Sequence, residues 1–176
     1  MSHWKGTVAR GFTRAEFSAY ISTVQFEHWI PSFVVLHNTQ VPTLADWHDV
    51  PGELRMSSLE KYYRDDQGWS GGPHLFVADD RIWVFTPLAV PGVHSPSWNA
   101  SSWGVESVGD FDREEMQGAQ FENLVEALRC LHRLAGFDAP QLRLHKDDPK
   151  TTHTFCPGKN FPRELLSKRL AEALAA

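Results

Sequence analysis

The sequence predicts a single α/β domain in which helices flank a central mixed β-sheet. A chain of 176 residues with 41% hydrophobic and 22% charged residues suits one domain with a substantial core. No internal repeat, low-complexity tract or linker divides it, so the domain is expected to span residues 1–176. The helical and extended patterns follow the order α-β-α-β-β-β-α-β-α, which is typical of a mixed sheet with helices around it.

The N-terminal part predicts a helix followed by a buried strand. Thr13 and Glu16 fit a capping box, and apolar residues at helical spacing follow them. We therefore expect a helix over about 13–25 that packs on the rest of the domain. The continuous apolar run FVVL, which ends at His37, predicts a buried strand.

The middle of the chain predicts a helix and a β-hairpin. Ser57 and Glu60 fit a second capping pattern, which predicts a helix that begins there and ends near Gly68. Two short apolar segments lie on either side of Asp79 and Asp80. This arrangement predicts a hairpin.

The C-terminal part predicts two strands and two helices. The segment SSWGVESVG predicts a strand that carries Glu106 near its end. Apolar residues recur at helical spacing between Glu114 and Ala135, which predicts a long amphipathic helix. A short strand over about 141–144 and a packed helix over about 160–175 complete the predicted order.

Composition and charge argue against several classes of protein. The net charge of −5 and the absence of a basic run give no sign of a nucleic-acid partner. The N-terminus lacks the apolar region of a signal peptide, and no run of about 18 apolar residues could span a membrane. We therefore expect a monomer that is synthesised in the cytoplasm and does not insert into a membrane. Free or metal-bound thiols are favoured over a disulfide between Cys130 and Cys156.

The segment LHKDDPKTTHTFCPGKNF concentrates residues that can bind a metal. It contains His145, His153 and Cys156, while His37 ends a strand at the other end of the chain. Zinc takes imidazole and thiolate ligands, and a catalytic zinc keeps three protein ligands and a water. If the fold brings His37, His145 and Cys156 together, they make a zinc site with an open position. The spacing alone does not choose between His145 and His153 as the second ligand, and three accidental histidines remain the alternative.

Four ordered segments of the chain resemble one protein family. The segments are HNTQ, GGPHLFV, VHSPSWNASSWGVESVG and HKDDPKTTHTFCPGKNFP, and the resemblance covers about residues 30–165. They are similar to zinc-dependent N-acetylmuramoyl-L-alanine amidases of the amidase-2 group, which includes phage endolysins and peptidoglycan recognition proteins. The resemblance implies zinc bound by His37, His145 and Cys156 at the floor of a cleft. The implied substrate is the amide between N-acetylmuramic acid and L-alanine in peptidoglycan.

The resemblance also implies catalytic residues, with two departures from the family pattern. Glu106 matches the catalytic acid of the glutamate-using branch, although a strand-end glutamate in a surface salt bridge is the alternative. Several relatives have a tyrosine where this chain has Pro73, so a tyrosine-based route is doubtful here. Some relatives have a lysine where this chain has Thr154. We therefore include Thr154 in the catalytic set, with its neighbour His153 as the group that stabilises the oxyanion.

The segment that lines the substrate cleft in relatives contains His94, Trp98 and Asn99 here. These three residues are expected to contact the glycan or the peptide stem. His74 is expected to be a packed residue beside the site. Trp69 could border the cleft or lie in the core.

The resemblance leaves several functions open. The favoured one is a lytic, endolysin-like amidase that reaches the cell wall by assisted release. A non-catalytic peptidoglycan-binding protein is one alternative, although such proteins usually lack the cysteine that is present here as Cys156. A cytoplasmic amidase that recycles anhydromuropeptides is another, although the third ligand of that branch is typically an aspartate. A secreted antibacterial effector with the same chemistry is the last.

Overall fold

The computed structural model describes residues 3–116 and 118–176 as a six-stranded mixed sheet with helices on both faces. The strands are β1 Arg10–Phe12, β2 Phe33–Asn38, β3 Leu75–Val77, β4 Ile82–Val84, β5 Ser102–Ser107 and β6 Leu142–Leu144. The α-helices are α1 Arg14–Ile21, α2 Leu44–Trp47, α3 Gly52–Lys61, α4 Gly118–Ala135 and α5 Arg163–Ala175. A π-helical turn, Tyr62–Asp66, continues α3, and a 3-10 turn, His145–Asp147, follows β6.

The strands lie in the order β1-β4-β3-β5-β2-β6. The pairs β1–β4 and β3–β4 are antiparallel, whereas β3–β5, β5–β2 and β2–β6 are parallel. The register sets His37 of β2 directly beside Glu106 of β5. Because parallel strands end at one edge of a sheet and ligands bind in the crevice there, this register creates a candidate site.

The larger core lies on one face of the sheet. Side chains alternate between faces along a strand, so Val34 and Leu36 of β2 point into this core. Helices α1, α4 and α5 cover it, through buried residues such as Phe17, Leu128 and Leu166.

A second, smaller core lies on the opposite face. Phe76 of β3 and Trp83 of β4 pack there with Trp47 of α2 and Met56 of α3. His37 and Glu106 share this face, because each is an odd number of residues from the strand residues that enter the larger core. The site therefore lies beside a small aromatic core.

The predicted fold class and the predicted order of elements are confirmed, and the structure adds two elements to that order. These are β1 and α2, neither of which exceeds four residues. Thr13 caps α1 through a capping box with Glu16, as predicted. The helix ends at Ile21, however, because Ser22 and Thr23 bind their hydroxyls back to the carbonyls of the last turn.

The predicted start of the second helix at Ser57 is wrong. Helix α3 begins at Gly52, five residues earlier, and Pro51 precedes it without a side-chain hydrogen bond to the helix. The Ser58 hydroxyl donates to the Leu54 carbonyl at 2.9 Å, as serines inside helices often do. The last helix also begins later than predicted, at Arg163. Among the described residues, no helix is both long and apolar enough to cross a membrane.

Candidate metal centre

Three potential metal ligands converge at the carboxyl edge of the sheet. His37 is the penultimate residue of β2, His145 opens the 3-10 turn after β6, and Cys156 lies in the following loop. One ligand atom from each lies within 4.8 Å of those of the other two. The structure thus brings together the three residues that the resemblance implied.

The loop that carries Cys156 is held from both sides. The Lys146 amide donates to the Cys156 carbonyl at 3.0 Å, and the Cys156 amide donates to the His153 carbonyl at 3.2 Å. Gly158 then turns the chain with a φ of 105°. A Cβ atom at Gly158 would lie 2.6 Å from the carbonyl carbon of Phe111, so only glycine fits there.

Both candidate imidazoles have a partner on their Nε2 atoms. Nε2 of His37 lies 3.1 Å from Nδ1 of His94, and Nε2 of His145 lies 2.9 Å from the hydroxyl of Thr151. Burial lowers the pKa of His37 well below its usual value and that of His145 to about 4. Both rings are therefore neutral at pH 7, which is the form that binds a metal.

Cys156 differs from the histidines, because burial keeps its thiol protonated. Burial and the nearby Glu106 carboxyl raise the pKa of Cys156 to about 12. Metal binding requires the thiolate, so a metal that binds here must displace this proton.

Glu106 of β5 lies next to His37 at the same edge of the sheet. Its Oε1 atom lies 3.8 Å from Nδ1 of His37, and its side chain is 13% exposed. Burial raises the pKa of Glu106 to about 8. Its Oε2 atom is buried and has no hydrogen-bond partner within the described residues. The alternative of a surface salt bridge is therefore wrong, because the Glu106 carboxyl is buried beside His37.

The loop of residues 148–162, which carries Cys156, is called the ligand loop, and His153 and Thr154 lie on its exposed part. The centroid of the His153 ring is 5.3 Å from that of His145, at an interplanar angle of 31°. The His153 amide donates to the Thr151 hydroxyl at 3.1 Å. The structure thus brings His153 next to the candidate ligand His145, and the catalytic roles of His153 and Thr154 stay predictions.

The three predicted substrate contacts occupy different environments. His94 is buried, and its ring lies against His37. The Asn99 side-chain oxygen accepts hydrogen bonds from the backbone amides of His94, at 2.7 Å, and Ser95, at 2.8 Å. Trp98 is half-buried and packs edge-on against Phe33, with ring centroids 5.7 Å apart. Of the three, Trp98 alone has a side chain that is partly exposed to solvent and makes no hydrogen bond within the described residues.

Asp148 is a buried carboxylate that the sequence analysis did not select. Its Oδ2 atom accepts from the Ser95 hydroxyl at 2.5 Å and from the Ser97 amide at 2.9 Å. Its Oδ1 atom accepts from the Lys150 amide at 2.8 Å. Burial opposes ionisation, but these hydrogen bonds outweigh it and lower the pKa of Asp148 to about 2. Asp148 thereby ties the loop of residues 93–101 to the ligand loop, a link between distant segments that no local motif signals.

Tyr63 is a second residue near the site that the sequence analysis did not select. Its ring stacks on Trp69 at 5.3 Å and meets Phe85 edge-on at 5.6 Å. It also touches Gly72, where an added Cβ would lie 2.9 Å from the Tyr63 ring. Burial, followed by the nearby Glu106 carboxyl, holds the pKa of Tyr63 well above its usual value. The phenol therefore keeps its proton at neutral pH.

His74 is a packed residue beside the site, as expected, and Cys130 is a free thiol in the core. His74 is buried between Gly104, whose amide donates to its Nδ1 atom at 3.0 Å, and the Val90 carbonyl, 2.9 Å from its Nε2 atom. Cys130 is a free, buried cysteine of α4. The structure thus separates the two cysteines between the core and the site.

The donor set fits zinc. Two neutral imidazoles and one cysteine thiolate are ligands that zinc prefers, and three protein ligands leave a position open for a water or a substrate. The unpartnered oxygen of Glu106 beside them can accept a hydrogen bond from a group in that position. The residues therefore form a possible metal-binding group.

Comparison with known proteins identifies the family. The family model described as N-acetylmuramoyl-L-alanine amidase matches residues 28–159. Peptidoglycan-recognition protein 1 from Holotrichia diomphalia is 26% identical over 134 residues, which cover 75% of this chain and 66% of that protein's length.

Solved structures show the same fold. N-acetylmuramoyl-L-alanine amidase LysC from Clostridium intestinale URNW superposes with a TM-score of 0.67 at 28% identity, covering 81% of this chain and 86% of that one. Drosophila PGRP-LB superposes with a TM-score of 0.67 at 21% identity, covering 82% of this chain and 84% of that one. With three quarters of its length matched by the family model, the chain belongs to the N-acetylmuramoyl-L-alanine amidase family.

Proposed function

We propose that this protein is a zinc-dependent N-acetylmuramoyl-L-alanine amidase that degrades peptidoglycan. The observation that carries the proposal is the convergence of His37, His145 and Cys156 within 4.8 Å, with the Glu106 carboxyl 3.8 Å from His37. A metal set alone would suit a structural site. The adjacent buried carboxyl, with one oxygen unpartnered within the described residues, supports a catalytic one.

His37, His145 and Cys156 would hold the zinc. When bound, zinc polarises the scissile carbonyl and activates a water for attack. Burial favours the protonated form of Glu106, but the positive charge of a bound zinc would favour the carboxylate. As the carboxylate, Glu106 accepts a proton from the attacking water, because it lies beside His37 and its Oε2 atom has no partner of its own among the described residues. This division of labour assigns binding to three residues and proton transfer to a fourth.

The reaction balances with one water molecule and no other reactant. The water oxygen adds to the lactyl carbonyl carbon, and Glu106 takes the proton that this oxygen loses. The carbon–nitrogen bond then breaks, and Glu106 returns the proton to the amine of L-alanine. The His153 ring is exposed, and its centroid lies 5.3 Å from that of His145. From there His153 donates a hydrogen bond to the developing oxyanion.

The proposed substrate contact is Trp98. Its half-buried ring offers an apolar surface to a sugar or a peptide stem, as aromatic side chains in such clefts often do. The lytic, endolysin-like form of the activity is supported by the similarity, at 28% identity, to the endolysin N-acetylmuramoyl-L-alanine amidase LysCS from Clostridium intestinale URNW. We propose the cell wall as the place of action on the same basis.

A second candidate is a protein that binds peptidoglycan without cutting it. The similarity to peptidoglycan-recognition protein 1 favours it, because that protein's name states recognition alone. The thiol of Cys156 within the ligand set favours catalysis instead. A recycling amidase would act on anhydromuropeptides rather than on intact walls.

One experiment separates these candidates. Purified protein is incubated with intact sacculi and, separately, with anhydromuropeptides, and the products are identified by mass spectrometry. The lytic amidase releases peptides with a free N-terminal L-alanine from sacculi. A recycling amidase releases them from anhydromuropeptides only, and a binding protein sediments with sacculi and releases none.

Removal of zinc provides the matched control. Protein treated with a chelator should release no free N-terminal L-alanine, and one equivalent of Zn²⁺ should restore the release. Persistent release from metal-free protein would overturn the proposed mechanism.

A further inference from the structure

We infer that His94 is a positioning residue that fixes the tautomer of His37, so that His37 presents Nδ1 rather than Nε2 to the metal. This inference rests on the proposed zinc site. It also gives His94 a role different from the substrate contact that the resemblance implied.

The Ser102 carbonyl determines the tautomer of His94, because a carbonyl can only accept a hydrogen bond. Nε2 of His94 lies 3.3 Å from this oxygen, so Nε2 carries the hydrogen. The His94 ring is buried, and its hydrogen-bond partners within the described residues are this carbonyl and His37, neither of them acidic. A buried charge without an acidic partner is costly, so the ring is neutral and its Nδ1 atom carries a lone pair.

The tautomer of His94 determines that of His37. Nδ1 of His94 accepts, and Nε2 of His37 lies 3.1 Å from it, so Nε2 of His37 is the donor. A neutral imidazole carries one ring hydrogen, which leaves the lone pair of His37 on Nδ1. Nδ1 is also the atom that lies 3.8 Å from the Glu106 carboxyl, on the side of the proposed catalytic group.

The packing around His94 holds this arrangement. A Cβ atom at Gly104 would lie 2.4 Å from Cγ of His94, so the ring occupies space that only a glycine in β5 leaves open. The His94 amide donates to the Asn99 side-chain oxygen at 2.7 Å, which anchors its backbone. His74 closes the other side, with ring centroids 5.8 Å apart. The ring is thus held from its backbone and from both sides.

The inference has a direct test in the unmodified protein. Long-range ¹H–¹⁵N spectra of metal-free protein with labelled histidines report which nitrogen of each ring carries the hydrogen. The expected result at neutral pH is hydrogen on Nε2 of both His37 and His94. Hydrogen on Nδ1 of His37 would overturn the inference, whether or not any variant folds.

Zinc affinity, measured by competition with a chromophoric chelator, provides the second test. His94→Leu removes the acceptor and should weaken zinc binding about 10–100-fold. His94→Asn restores an acceptor near the position of Nδ1 and should recover most of that loss. His132→Asn changes a buried histidine of α4 away from the site and should leave zinc affinity unchanged. Equal affinity of wild type and His94→Leu would contradict the inference.

Both tests are independent of substrate. A protein that binds zinc as expected but releases no L-alanine would contradict the proposed amidase and leave the role of His94 intact. A protein with the expected activity but with hydrogen on Nδ1 of His37 would do the reverse. The two conclusions therefore fail separately.

Discussion

The same strands place apolar side chains on one face of the sheet and the polar side chains of the site on the other. In β2, Val34 and Leu36 enter the apolar core under α1, α4 and α5, whereas His37 enters the site on the opposite face. The core face consists mainly of aliphatic and aromatic side chains. The site face buries histidines and a glutamate at the carboxyl edge of the strands.

The difference lies in how specific the contacts are. Apolar packing has little directionality, so the core depends on volume and burial. The site depends on individual partners, as with His94 for His37 and Thr151 for His145. Glu106 departs from this pattern, because its Oε2 atom is buried without a partner among the described residues. An unsatisfied buried carboxyl destabilises the fold, and the catalytic role proposed for Glu106 would explain why it is present.

The largest expected effect comes from changing that carboxyl. Glu106→Gln keeps the shape of the side chain but cannot accept the proton from water. We expect kcat to fall about 10³-fold, within the range for a lost general base. Zinc content should stay at one equivalent, and thermal stability in chelator should stay equal or rise, because a buried ionisable group is removed.

The Glu106→Gln variant separates proton transfer from metal binding only if kcat falls while the zinc content stays the same. Turnover by Glu106→Gln within about fivefold of wild type would assign proton transfer to another residue, with His153 the next candidate. Loss of zinc from the variant would instead make Glu106 part of the metal site. Kinetics on a soluble muropeptide and metal analysis of the same sample distinguish these outcomes.

A truncation on the core face should lower stability and leave turnover unchanged, the opposite of the result expected for Glu106→Gln. Leu128 of α4 is fully buried in the larger core. Leu128→Ala should lower the free energy of unfolding by about 3 kcal/mol, because it leaves a cavity. Urea denaturation measures this loss. Zinc affinity and kcat at a temperature where the variant is folded should match those of wild type, and a weaker zinc site would show that the two faces are coupled.

Most of the fold could be predicted from local patterns. The periodicity of α4 and the apolar run of β2 depend on neighbouring residues, which the sequence displays directly. Strand β1 was missed because three residues are too short for a periodic signal. The start of α3 was misplaced because Ser57-x-x-Glu60 matches a capping pattern inside a helix whose true start has no side-chain cap.

The site was less predictable, because its contacts join distant segments. Spacing left His145 and His153 as equal candidates, and the family resemblance, rather than physical reasoning, separated them. The contact of His94 with His37 spans 57 residues, and that of Asp148 with Ser95 spans 53. Such pairs depend on the register of β2 and β5 and on the loop after β6, which no single segment encodes.

The smallest expected effect concerns His132, a polar residue on the core side of the molecule. Its Nδ1 atom lies 2.8 Å from the Leu128 carbonyl, and its Nε2 atom accepts from the Gln141 amide at 2.9 Å. Burial lowers the pKa of His132. The unfolded chain therefore binds a proton at this ring more readily than the folded chain does, and protonation favours unfolding.

We expect His132→Gln to be less stable than wild type by about 1 kcal/mol at pH 7.5, the typical contribution of one hydrogen bond. This difference should shrink as the pH falls below about 6.5, because wild type then loses stability that the variant does not. Urea denaturation at pH 7.5, 6.5 and 5.5 in chelator measures it, with the site histidines unchanged in both proteins. A stability difference that stays constant across this range would show that the pKa of His132 is the same in the folded and the unfolded chain, so that the fold does not hold this ring neutral.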